Sequence, residues 1–182
     1  MILLCLPRTK RPEETLSDGE SGVASESPLH ITQQLVNVPS YESDVLNSKE
    51  FQGFRAHVEQ AVRFAQENEF IFQSHPEYVG AFSPGVCSIF LSSVFASPHS
   101  YAERVWIIVG DVPPAYIVID DAPDAASALN AYIAEMNLWI EAVRSGRLVE
   151  DCIPVNVSPT QKWAERLATR MRFLSAHLND IV

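Results

Sequence analysis

Two short pairings in this chain have residue types suited to proton chemistry: His75 with Glu77, and His99 with Glu103. An imidazole beside a carboxylate can relay a proton, and the two together can begin a metal site. A metal centre needs two or three such groups at short helical or hairpin spacing. The five histidines, His30, His57, His75, His99 and His177, are not so spaced. No metal and no cofactor is expected. Both pairings fall between regular elements, where a polar residue is ordinarily an exposed loop side chain.

Three further acids stand near the middle of the chain: Asp111, Asp120 and Asp121. Asp111 sits at the tip of an expected hairpin and the other two at its base. A strand of that length separates them by about 30 Å, so they form no dyad. Turn chemistry accounts for Asp111, and a helix cap accounts for Asp120 and Asp121. As a group they could still meet a basic partner. A Cys–His nucleophile would have to use Cys87 with His75 or His99. Cys87 lies on an expected buried strand, which raises a thiol pKa and leaves it unreactive. With seven glycines, the chain has no Gly-x-Gly-x-x-Gly run, no Walker-type lysine loop and no Gly-x-Ser-x-Gly elbow. Lys162, Arg166 and Arg170 recur at i, i+4 and i+8 with Arg172 nearby, a basic stripe that Glu165 dilutes. It reads first as a solvated helix face, and it lacks the interleaved aromatics that grip single-stranded nucleic acid. Trp106 and Tyr116 on a strand pair, and Tyr132 and Trp139 on a helix, are either core or interface anchors.

The element that must position these groups is the stretch Glu103–Asp121. Val105–Val109 and Ala115–Ile119 are β-branched or aromatic at almost every position, which suits a pleated, packed surface. Gly110, Asp111, Pro113 and Pro114 interrupt them as a loop. A loop centred on Val112 opposes Val105 to Ile119 and Ile107 to Ile117, and places Trp106 and Tyr116 on the other face. It also sets Arg104 against Asp120. Both faces are apolar, so either helices cover both or a second subunit covers one. Val86–Phe95 reads as a third strand, with Cys87, Ile89 and Leu91 on one face and Phe90 and Val94 on the other.

Helices flank this sheet. Asn47-x-x-Glu50 has the form of a capping box before Phe51, Phe54, Val58, Ala61, Val62 and Ala65 at helical spacing. Asp120–Asp124 with Pro123 opens a second helix, with Leu129, Ile133, Met136, Ile140 and Val143 as its stripe and Gly146 as its stop. Ser158-Pro159-Thr160-Gln161 caps a third, with Trp163, Leu167, Met171, Leu174 and Leu178 facing inward. The expected fold is α+β: a three-stranded antiparallel meander packed with three helices in the order α-β-β-β-α-α, over residues 45–182. Residues 1–44, rich in Ser, Glu and Pro, read as a disordered or extended segment.

The stretches Val105–Val118 and Ala128–Gly146, taken together, resemble small bacterial proteins grouped as uncharacterised domain families, over roughly Ser83 to the C-terminus. That resemblance implies a bacterial source. It carries no known activity, so no functional residue transfers.

The bulk composition narrows the function classes. With 47% apolar residues in 182, a single domain can bury a full core. A net charge of −10 disfavours nucleic acid and anionic membranes as partners and is compatible with a basic protein. No apolar run is long enough to span a bilayer. Three cysteines without metal-like spacing fit a reducing, cytoplasmic setting. The expectation is a non-enzymatic protein-binding domain, such as an immunity-type inhibitor of a basic toxin or an adaptor. Its contacts would be Asp111, Asp120, Asp121, Trp106 and Tyr116. A small hydrolase or transferase around His75, Glu77, His99 and Glu103 is the alternative, and a homodimeric structural protein using one sheet face is the third.

Overall fold

The computed structural model describes residues 35–68, 71–72, 76–95 and 103–182. The chain is α+β. Its strands are β1 (Val36–Asn37), β2 (Ile71–Phe72), β3 (Tyr78–Ser83), β4 (Cys87–Phe95), β5 (Glu103–Gly110) and β6 (Ala115–Val118). Its helices are α1 (Val38–Val45), α2 (Phe51–Glu67), α3 (Ala125–Arg144), α4 (Gln161–Ala176) and the single turn α5 (Leu178–Ile181). All strand pairs are antiparallel, in the order β1-β3-β4-β5-β6, with β2 pairing β4 off this path.

The expected meander β4-β5-β6 is present, and the sheet extends beyond it. Residues 78–83, read from the sequence as a connection, form β3. Gly80 explains why the strand was hidden. A register shift between Val79 and Ala81 sends both side chains to opposite faces although their spacing is even. A side chain at Gly80 would stand 2.7 Å from the Trp106 ring, so the bulge leaves room for the indole. The folded body also begins earlier than residue 45. β1 pairs β3, Val38 is buried, and the Tyr41 ring lies 4.8 Å from that of Phe54. The capping box at Asn47 does not form. The Ser48 hydroxyl instead accepts the Glu50 amide at 3.2 Å, and α2 starts at Phe51.

Helices cover both faces of the sheet. On one side, Phe54 and Ala61 of α2 pack with Val38, Phe90, Val94, Val105, Ile107 and Val109. On the other, Ile89, Leu91, Trp106, Ile108 and Ile117 meet Leu129, Tyr132, Met136 and Ile140 of α3, with α4 packed along α3. Every residue of the expected α3 stripe is buried. Burial on both faces explains the unbroken apolar runs of β4 and β5. Among the described residues, neither face of β4 and β5 is left bare.

The hairpin register differs by one residue from the expected one. Val105 opposes Val118, Trp106 opposes Ile117, and Ile108 opposes Ala115. Val109 and Gly110 pair only with β4. The connection between Ile108 and Ala115 therefore has its midpoint between Asp111 and Val112. A one-residue slip turns β6 over. Tyr116 then lies on the α2 face, opposite to Trp106. Arg104 does not meet Asp120. It lies over the Tyr78 ring, 6.0 Å from the centroid.

Candidate functional site

One concavity with convergent polar groups lies where the β5–β6 loop faces the outer side of α4, and a larger one, of about 740 Å³, lies between α1, α2 and Pro76–Tyr78. The first is a cleft of about 420 Å³ between Asp111–Pro114, Val155–Val157 and the helix face carrying Trp163, Arg166 and Arg170. That size lies within the ordinary range of ligand sites.

The phase of α4 makes this face. The Thr160 side chain accepts the Trp163 amide at 3.4 Å, so the cap is Thr160 rather than Ser158 and the helix starts at Gln161. Gln161 does not reach back as half of a capping box. Its amide donates to the Val143 and Arg144 carbonyls at 3.3 and 3.4 Å, closing the end of α3. Ala164, Leu167, Ala168, Met171 and Leu174 then point inward. Trp163, expected in the core, is turned out to 38% exposure, and Phe173 to 44%. Trp163, Arg166, Arg170 and Phe173 follow one another at alternating three- and four-residue steps, which keeps them on one side of the helix. The Arg166 guanidinium lies over the Trp163 ring at 4.8 Å. No carboxylate among the described residues pairs with it, whereas Arg144 pairs with Glu141 and Glu165.

The opposite wall is a fixed loop. Gly110 has φ of +135°, and a side chain there would stand 2.4 Å from the Val86 carbonyl oxygen. Only glycine lets the chain turn against the β3–β4 turn at that distance. The Asp111 amide donates to the Val86 carbonyl at 2.9 Å, and the Gln60 side chain donates to the Gly110 carbonyl at 3.3 Å. From below, the buried Tyr132 hydroxyl donates to the Pro113 carbonyl at 2.8 Å. Burial, with the neighbouring Cys87 as a lesser cause, holds that phenol well above its ordinary pKa, so it stays a donor. From α4, Arg170 donates Nε to the Asp111 carbonyl at 2.7 Å and Nη2 to its carboxylate.

The residues singled out from the sequence are scattered around the molecule. His75 and His99 lie outside the described residues. Glu77 and Glu103 reach the far end of β4. The Glu77 carboxylate accepts the Ser93 amide at 3.2 Å, and Glu103 opposes Val94. Asp120 and Asp121 are exposed on a short 3-10 turn after β6, away from Asp111, and Asp124 caps α3 by accepting the Ser127 amide at 2.7 Å. Trp106 is fully buried, and its indole N–H donates to the Ala122 carbonyl at 2.7 Å. It has no surface to offer a partner. Tyr116 is half-buried beside the α2 cluster. Cys87 is buried, with its thiol pushed up to about 11, and is protonated at neutral pH. No group of three metal-ligating side chains occurs among the described residues, and none of their helices is long and apolar enough to cross a membrane.

One pairing escaped the sequence. His57 Nδ1 on α2 lies 2.7 Å from the Ser88 hydroxyl on β4. Thirty-one positions separate them, and only the packing of α2 on the sheet brings them together. Ser88 has no exposed surface, so a substrate carbonyl cannot reach its oxygen. The pair satisfies a buried hydroxyl.

No family model, curated protein or solved structure matches this chain.

Proposed function

We propose that this protein is a non-enzymatic binding domain that engages another protein through the cleft between α4 and the β5–β6 loop. The observation that carries this reading is the exposed Trp163–Arg166 stack facing a loop pinned by Val86, Gln60, Tyr132 and Arg170. Tryptophan and arginine are the side chains most often responsible for the energy of protein interfaces. A rigid opposing wall lowers the ordering cost of association. The form in which Asp111, Asp120 and Asp121 grip a basic toxin is less favoured. Arg170 already engages Asp111, and β6 separates it from the other two.

Affinity capture from the source cells, with the wild-type chain and Trp163→Ala side by side, tests the proposal. The expected result is one stoichiometric partner retained by the wild type and lost from the variant at equal folded content. A partner held equally by both, or none held by either, overturns it.

A further inference from the structure

Resting on the binding reading, we infer that the α4 groove takes an acidic, extended segment of the partner protein, anchored by two large apolar side chains. The groove has two hollows. The first is the 420 Å³ cleft beside Trp163. The second, of about 250 Å³, lies between the β3–β4 turn and α4, beside Phe173. Asp111, Val112 and Arg170 border both, so the Arg170–Asp111 bridge is the sill between them. Each hollow ends on an exposed aromatic ring and has room for one large side chain.

Their spacing sets the geometry of the occupant. Trp163 and Phe173 are ten residues apart on α4, or about 15 Å at roughly 1.5 Å per residue. An extended chain advances about 3.3 Å per residue and turns alternate side chains to the same face, so anchors four residues apart, spanning about 13 Å, reach both hollows.

Charge sets the sign. Over the groove stand Arg166, which has no carboxylate partner among the described residues, and Arg170, whose guanidinium is paired with the Asp111 carboxylate. Lys162 lies one turn before Arg166 on the same helix. One or two partner carboxylates between the anchors would meet these guanidiniums. Arginine on a carboxylate makes two-pronged hydrogen bonds, and its planar guanidinium stacks on aromatic faces. A nucleic acid is the poorer match. Two or three cations supply few phosphate contacts, and the remaining surface of a chain of charge −10 repels a polyanion.

Selection from a display library of random short peptides tests this, using the full chain as bait and Arg166→Glu and Trp163→Ala as parallel counter-baits. The expected result is enrichment of acidic peptides with two large apolar residues about four positions apart. Synthesised, such a peptide should bind Arg166→Glu at least about tenfold more weakly than the wild type. Enrichment of basic or neutral peptides, or equal enrichment on the counter-baits, overturns the inference. So does the absence of enrichment, or a single-stranded RNA oligomer that binds the groove more tightly than any selected peptide. The two readings fail separately. A captured partner that depends on Trp163 while basic peptides win the selection retains the binding function and removes the acidic segment.

Discussion

Arg170 holds Asp111 twice, through the backbone carbonyl and through the carboxylate, and so ties the hairpin loop to a helix 59 positions further along the chain. Both side chains are substantially exposed, at 41% and 64%. An exposed pair of this kind contributes little to global stability. Its consequence is local. Arg170→Ala should lower the unfolding free energy by no more than about 1 kcal/mol. It should nevertheless speed hydrogen exchange at the Asp111 amide, which donates to the Val86 carbonyl, because one of the loop's outer ties is gone. Exchange at Asp111 that is unchanged in the variant would show that Tyr132, Gln60 and Val86 hold the loop alone.

Two glycines respond to the same substitution with opposite sign. Gly110→Ala places a methyl 2.4 Å from the Val86 carbonyl oxygen at a φ of +135° that alanine resists. Backbone strain alone costs on the order of 1–3 kcal/mol, and the overlap with fixed backbone adds to it. Gly53→Ala in α2 meets nothing within 4 Å and removes a flexible residue from a helix. It should stabilise by about 0.5–1 kcal/mol. Urea denaturation of both variants measures the contrast. A tolerated Gly110→Ala would mean that the loop can leave the β3–β4 turn.

The three tryptophans show where the sequence was legible and where it was not. The α3 stripe was readable because large apolar residues mark the buried side at every turn, and Trp139 belongs to it. In α4 the same reasoning placed Trp163 inside. Leu167, Met171 and Leu174 are buried as that stripe has them, but the first turn buries Ala164 in place of Trp163, and the small size of Ala164 and Ala168 suits close packing on α3 and leaves a weak apolar signal. The hairpin was legible as two strands, but a loop with two prolines does not state its midpoint, and the face of Tyr116 followed from that. β3 was masked by its bulge at Gly80. The binding cleft needed the phase of α4 and the path of the loop together, and neither is a local property. The energetic counterpart is direct. Trp163→Ala should cost less than about 1 kcal/mol, as for an exposed residue. Trp106→Ala should cost about 3–5 kcal/mol, since it empties a core site and orphans the Ala122 carbonyl. Comparable losses for the two variants would return Trp163 to the core.

His57 gives the protein a pH dependence whose sign can be worked out. Burial against the sheet lowers its pKa from 6.5. The Ser88 hydroxyl can donate to Nδ1 only when that nitrogen is unprotonated. The unfolded chain therefore binds the proton at a higher pH than the folded one. The contribution of His57 is fully present above about pH 6.5 and is lost as pH falls through the lowered folded value. Glu135 acts in the reverse sense: burial raises its pKa, so its contribution is present at low pH and lost as pH rises through that value. The His57 share is isolated by comparing wild type with His57→Gln, whose side chain still offers an acceptor to Ser88 without titrating. Unfolding free energy should drop more steeply between pH 7 and pH 5 in the wild type than in the variant. Parallel slopes would mean that His57 titrates as it does in the unfolded chain and that the Ser88 contact does not depend on its protonation.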